Sequence, residues 1–412
     1  MKILLVNTRH FYGGGDSTYT FNLSDLLTKN GHEVAFFAMQ DERNIADPNS
    51  DLFVSNIDYR NLNQRKNPIT GLKVLTRSIY SIEARQNFST LLNRFRPDIV
   101  HLQNIHAHIT PSVIFEANKQ KIPMVWTVHD FKQICPNSTF MIDQTREICE
   151  ACRGGKFYQA MNKRCKKNSI LASGMVMVEA YAHQLMQVRN KVDAYLAPSV
   201  FMRTKLLQNG FEPEKTFHLP LFIKQSLLAG SSASPTVSNY ILFLGRVDFT
   251  KGIYPLIEAA HLVPHVKVVL AGRVEEPIQS DLVDQLPENV KYVGMKTGRE
   301  LDELRRNCIA IILPSLWYEN QPFSVLEAFA FSKPVIGSRL GGIIELVGKE
   351  ERGILIPPGK PRLLAEAMEY AVQHQEVLAE MGKKARSFLV NHHSPEAHYA
   401  QLFKIYQNVL NK

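Results

Sequence analysis

Two acids stand eight residues apart in the stretch IAIILPSLWYENQPFSVLEAFAFSKPVIGSRLGGIIELV, Glu319 and Glu327, and their spacing decides what paired carboxylates could do there. Ile309 to Leu313 is an unbroken apolar run of strand length, closed by Pro314 and Ser315. Glu319 then lies in a loop. Asn320 as an N-cap and Pro322 in the first turn predict a helix from about Gln321, with Glu327 more than a turn inside it. A helical rise of about 1.5 Å per residue puts the two acids roughly 10 Å apart. Retaining glycosidases need roughly 5 Å and inverting ones roughly 6.5 to 9.5 Å, so glycoside hydrolysis does not fit. The span instead suits a sugar ring at one end and a ribose at the other, with the N–H groups of Phe323, Ser324 and Val325 aimed at a diphosphate between them. Taken alone, the spacing favours a plainer account, a solvated loop acid and an ordinary helix acid favoured by the dipole.

The elements around that stretch read as strand, turn and helix repeated. Tyr240 to Leu244 is a strand, and Gly245-Arg246 and Lys251-Gly252 follow before a helix, so two cations flank a strand-to-helix turn. At the other end of the chain, the strand Lys2 to Asn7 runs into Gly13, Gly14 and Gly15, with Asp16 or Ser17 as a cap and a helix bearing Leu23, Leu26 and Leu27. This is not a G-x-G-x-x-G fingerprint, and a tight turn explains a triple glycine as readily as phosphate binding does. Asp98 to Leu102 and Met124 to Val128 are further strands, ending in His106 and in His129-Asp130 at the edge where a parallel sheet collects ligand groups. A lone histidine in such a loop is more often structural than catalytic. Ile170 to Val192 is a Met-bearing amphipathic helix whose methionines are expected in a core.

A chain of 412 residues suits two domains, and 45% hydrophobic with 21% charged residues is a globular composition. Periodicity predicts an α/β fold of two doubly wound Rossmann-like domains, residues 1–224 and 240–394. A Gly-, Ser- and Pro-bearing linker runs from Gln225 to Asn239, and an amphipathic helix closes the chain at 395–412. No apolar run is long enough to span a bilayer and Met1 to Val6 is too short for a signal peptide, so a cytoplasmic protein is expected. The net charge of +9 favours anionic partners. Basic residues concentrate in the first half, at Arg60, Arg65, Lys66, Lys73, Arg77 and Arg85 and again at Arg153, Lys156, Lys163, Arg164, Lys166 and Lys167. No base-reading motif accompanies them, so nucleic acid is not expected, and peripheral contact with an anionic membrane competes with a merely solvated face.

Four of the five cysteines, Cys135, Cys149, Cys152 and Cys165, fall within one insertion of about residues 131–168. In a reducing compartment, C-x13-C-x2-C-x12-C fits a structural zinc knuckle better than disulfides, with metal-free buried thiols as the alternative.

The runs E-N-Q-P-F-S-V-L-E and K-P-V-I-G-S-R-L-G-G-I-I-E resemble the Glu-x7-Glu signature of glycosyltransferase family 4, with Ile344 where that family usually has proline. The resemblance extends over nearly the whole chain. It implies a GT-B fold, two Rossmann-like domains facing a cleft, and a retaining transferase of hexosyltransferase type that uses a nucleoside-diphosphate sugar without a required divalent metal. Glu319 would then contact the donor sugar, Glu327 the ribose, and Phe323 to Val325 the phosphates. By the same match Arg246 and Lys251 clamp the diphosphate, Gly13 to Gly15 face it, and His129 approaches the sugar, with His106 on the acceptor side. Asp16 replaces the family's more usual residues. A saccharide or lipid-linked saccharide acceptor in cell-surface polysaccharide synthesis, at the inner face of a membrane, is the implied setting. A nucleotide-sugar 2-epimerase of the same fold and a non-catalytic nucleotide-sugar-binding subunit are the rival readings.

Overall fold

The computed structural model describes residues 1–56, 76–230, 239–275 and 285–411. Of the first basic segment, Arg60, Arg65, Lys66 and Lys73 lie outside the described residues. The chain divides into two compact units, one of Met1–Leu219 with Tyr399–Lys412 and one of Pro220–His398.

The first unit is a six-stranded parallel sheet of order β2-β1-β3-β4-β5-β6. Its strands are β1 (Lys2–Val6), β2 (Glu33–Phe37), β3 (Ile99–Leu102), β4 (Met124–Thr127), β5 (Ala194–Ala197) and β6 (Thr216–His218). Between them run α1 (Gly15–Lys29), α2 (Ile82–Phe95), α3 (Ser112–Lys119), α4 (Tyr158–Asn162), α5 (Ile170–Leu185) and α6 (Val200–Gln208). β3, β4 and β5 are buried at every position, as strands covered by helices on both faces must be. Ser81, Ser169 and Ser199 cap α2, α5 and α6 by accepting from the N–H three residues on. The first helix is different: Gly14 is its N-cap with no side-chain bond, and Ser17 Oγ accepts from Gly13 N at 3.0 Å, so neither Asp16 nor Ser17 caps it.

α5 ends at Leu185, short of the expected Val192; its Met177 packs partly buried against the cluster of Ile142, Cys152, Ala160 and Cys165, while Ile170, Leu171, Val178 and Leu185 are exposed. The side chains it buries are Ser173 and Glu179.

The second unit repeats the architecture with order β12-β11-β10-β7-β8-β9. It begins with α7 (Gln225–Gly230), so the first part of the expected linker is helical, and the Leu228 carbonyl accepts from Arg386 at 2.8 Å. Then come β7 (Tyr240–Leu244), α8 (Ile253–Leu262), β8 (Lys267–Ala271), β9 (Val290–Tyr292), α9 (Gly298–Asn307) and β10 (Ala310–Leu313). α10 (Phe323–Ala330), β11 (Val335–Ser338), α11 (Ile343–Val347), β12 (Gly353–Ile356), α12 (Pro361–Gln373) and α13 (Gln375–His392) complete it, and α14 (Pro395–Leu410) follows. Tyr406 of α14 reaches the first sheet, its hydroxyl 2.6 Å from His101 Nδ1, while His101 Nε2 meets Thr127 Oγ1 at 2.7 Å.

Both sheets have a switch point where the strand order reverses, between β1 and β3 in the first and between β7 and β10 in the second. The loops leaving the carboxyl ends of those strands diverge there and leave room for a ligand. Those loops carry the candidate site residues.

Candidate active site

In the second unit, the loop after β10 and the loop after β7 are joined by one carboxylate. Glu319 is 7% exposed, and its Oε1 accepts from Lys251 Nζ at 2.6 Å, Ser315 Oγ at 2.8 Å and Trp317 Nε1 at 2.8 Å. Burial alone would raise its pKa, but the Lys251 ammonium and the three hydrogen bonds outweigh burial and hold it below the usual carboxylate range. All three donors meet Oε1, so Oε2 is the oxygen left for a ligand.

Two glycines permit that approach. A Cβ on Gly252, at φ 78°, would sit 1.9 Å from Pro314 O, and one on Gly341, at φ 54°, would sit 2.3 Å from Glu319 O. The Gly342 amide donates to the same Glu319 carbonyl at 2.8 Å. A side chain at either glycine would push the loops apart.

Arg246 and Lys251 are both paired. Arg246 Nη1 is 3.0 Å from Asp248 Oδ2, and Asp248, capping the turn, accepts from Thr250 Oγ1 at 2.6 Å and from Lys251 N at 3.0 Å. Both cations stand over Trp317, at 5.5 and 5.7 Å from its ring. Each keeps donors to spare, since an ammonium has three and a guanidinium five.

Helix α10 starts later than the sequence predicts. Pro322, extended at ψ 122°, is the N-cap, and Asn320 is not. The Val325 amide donates to Pro322 O at 3.1 Å, which leaves the amides of Phe323 and Ser324 as the open pair among the described residues. Gln321 instead turns inward, where its side-chain carbonyl accepts from Leu221 N. Glu327 sits on α10 against Arg305 Nη2, and Arg305 Nη1 donates to Asp302 at 2.9 Å. Burial raises the Glu327 pKa against the opposing pull of Arg305, so the two acids are pushed in opposite directions.

In the first unit, His129 Nε2 lies 2.7 Å from Gln103 Oε1, and its ring packs edge-on to Tyr19 at 5.3 Å. Burial lowers its pKa while Asp16 and Asp130 act to raise it, leaving a neutral imidazole at neutral pH. His106 Nε2 is 3.5 Å from Asp130 Oδ1. The Gly13 carbonyl accepts from Arg9 Nη1 at 3.2 Å, and a Cβ on Gly13 would strike the Phe11 ring at 2.7 Å. The glycine loop and the histidine loops thus share one sheet edge.

Sequence reasoning missed Arg305, Gln103, Trp317 and Gly341. Only Gly341 carried a signal, a glycine pair two residues before a short helix.

The cysteines do share a neighbourhood: Cys152 and Cys165 pack in one buried cluster with Ile142 and Ala160, and Cys149 lies against it. Burial pushes the Cys135 thiol up against the opposing effect of the backbone N–H groups of residues 137 to 140. Burial pushes the Cys152 thiol up to about 12 and Cys165 up to about 11. Among the described residues, no group of three or more His, Cys, Asp or Glu side chains is placed to hold a metal ion. Cys135, Cys152 and Cys165 are buried and Cys149 is half-buried.

Comparison with known proteins agrees with this architecture. The description "Glycosyltransferase Family 4" matches residues 13–225 and "Glycosyl transferases group 1" matches residues 226–388. The chain belongs to glycosyltransferase family 4 and is a glycosyltransferase of GT-B fold. It is 24% identical, over 84% of its length and 87% of the relative's, to an uncharacterized 42.6 kDa protein in the cps region of Klebsiella pneumoniae. Over 36% of its length and 41% of the relative's, it is 27% identical to the O-antigen chain mannosyltransferase C of Escherichia coli. The crystal structure of Anabaena HepE in complex with UDP aligns over 99% of this chain and all of that one, with TM-score 0.63 and 16% identity.

Proposed function

We propose that this glycosyltransferase moves a sugar, with retention of anomeric configuration, from a nucleoside-diphosphate sugar to a saccharide or lipid-linked saccharide in cell-surface polysaccharide synthesis. The observation that carries it is the Lys251–Glu319 pair at the switch point of the second sheet, beside the open amides of Phe323 and Ser324.

Glu319 Oε2 accepts from hydroxyls of the donor sugar. Glu327, shared with Arg305, holds the ribose. The diphosphate lies on the amides at the start of α10, and Arg246 and Lys251 meet the charge that grows on it as the glycosidic bond breaks, the term such catalysis most depends on. The Lys251 ammonium, 2.6 Å away, is the main partner that holds Glu319 ionised. In the first unit, neutral His129 presents a hydrogen-bonding ring to the sugar, and its Nε2–H is held by Gln103. The relatives from a cps region and from O-antigen assembly support a polysaccharide setting.

Turnover with a panel of uridine, guanosine and adenosine diphosphate sugars, first alone and then with acceptor saccharides, tests the reading. Transfer with retained configuration by NMR supports it. Epimerised donor, or tight binding with no turnover, would replace it with the epimerase or the binding subunit.

Zinc at the four thiols stays a separate proposal, supported by the packing of Cys149, Cys152 and Cys165 in one neighbourhood. One equivalent of zinc in protein purified under reducing conditions would establish it, and none would remove it.

A further inference from the structure

Helix α5, ILASGMVMVEAYAHQL, turns its apolar side outward. Ile170, Leu171, Val178 and Leu185 are 53, 76, 42 and 82% exposed, while Ser173 and Glu179 are buried. At 3.6 residues per turn, the four exposed residues fall within an arc of roughly 100°. α4 extends the same face. Tyr158 and Met161 are 44 and 36% exposed, Tyr158 N donates to Tyr181 Oη at 3.2 Å, and Met161 Sδ lies over Gly174. Isolated exposed apolar residues are ordinary, but six on one pair of neighbouring helices form a patch that needs an occupant.

The surrounding charge chooses that occupant. From Arg153 to Val178 the chain has six Lys and Arg residues and no Asp or Glu. Arg153, Lys156, Lys163, Arg164 and Lys167 are exposed, and their one acidic contact among the described residues is to the backbone of Lys167, whose amide donates to Asp143 Oδ2 at 2.7 Å. A second copy of this chain would set two such arrays against each other. An anionic surface with an apolar layer beneath it satisfies both features at once.

We propose that the α4–α5 face and its basic rim lie in the surface of an anionic lipid bilayer, with α5 parallel to the membrane plane. No described helix is long and apolar enough to cross a membrane, so the contact is one of lying on the surface. The opposite side of α5 supplies Ala180, His183 and Gln184 to a cavity of about 640 Å³, which also takes Phe157 and Gly155 from the Cys-bearing insertion. A head group at the bilayer surface is therefore one helix away from that cavity. This purpose rests on the lipid-linked acceptor proposed above; the surface itself rests only on exposure and charge.

The full chain is sedimented with phosphatidylcholine vesicles and with vesicles also containing phosphatidylglycerol. Binding to the anionic vesicles alone is expected, and both L171E/L185E and K163E/R164E should weaken it by about tenfold or more with melting temperature unchanged, since all four side chains are exposed. Wild type that fails to bind, binds both vesicles equally, or is matched by L171E/L185E overturns the proposal. So does a wild-type dimer that L171E/L185E disperses, which would give the face to a second copy. Transfer to water-soluble acceptor without vesicle binding sinks the docking surface and leaves the transferase, whereas vesicle binding without transfer does the reverse.

Discussion

Lys251 Nζ lies 2.6 Å from Glu319 Oε1, which joins the loops after two neighbouring strands through residues 68 positions apart in the chain. Because the pair is buried and its carboxylate also takes two neutral donors, each charge depends on the other. Lys251→Ala removes a diphosphate contact and also leaves Glu319 as a buried acid without its counter-charge. Turnover should fall by about a hundredfold or more. A loss under about threefold in steady-state assays would reject Lys251 as a clamp on the leaving group.

The same pair makes a pH prediction. The folded-state pKa of Glu319 is lowered from 4.5, so its contribution to stability is fully present above that value and is lost as pH falls through the lower folded value. Melting temperature against pH should therefore drop more steeply on the acid side in wild type than in Lys251→Ala, where the depression is relieved. Parallel curves would show that the pair carries no such linkage.

Gly341→Ala tests how closely the Glu319 loop is held. The new Cβ would lie 2.3 Å from Glu319 O at φ 54°, so the loop must shift, costing about 1–3 kcal/mol of stability and misplacing Oε2. Gly31→Ala is the control, because φ is 79° there but nothing lies within 4 Å, and it should cost about 1 kcal/mol without touching turnover. Equal turnover in the two variants would show that Gly341 does not position Glu319.

Arg305 is buried between two acids, with its Nε lacking a hydrogen-bond partner. Arg305→Leu strips Glu327 and Asp302 of their shared cation, and a loss of about 2 kcal/mol follows from leaving charge unpaired. Glu327 then binds protons more readily. Donor affinity should weaken, and partly recover as pH rises and Glu327 ionises. Calorimetric titration with a nucleoside diphosphate checks the direction.

Gln103 holds His129 through a 2.7 Å bond and is itself 1% exposed. Gln103→Glu puts a carboxylate where an amide stood and should raise the lowered His129 pKa, so the acid limb of the pH–rate profile moves to higher pH. Gln103→Leu should lower turnover without that move. An unmoved limb in Gln103→Glu would separate His129 from the rate-limiting protonation.

Much of this protein was legible in one dimension. Unbroken apolar runs such as Ile309 to Leu313 read as strands covered on both faces, and their regular alternation with helical pattern points to parallel sheets with ligand loops at one edge. The spacing of Glu319 and Glu327, and of Arg246 and Lys251, follows from position along that pattern. What folding alone decided was partnership and facing. Asn320 looks like a cap by residue type, but Pro322 takes the position because its extended backbone sets the helix start. Lys251 finds Glu319, and Gln103 finds His129, only because the sheets bring distant loops together. Helix α5 has a core helix's composition, yet apolar content cannot say which side meets protein. That depended on Glu179 binding Lys132 at 2.9 Å and Ser173 lying buried, which turned the leucines outward.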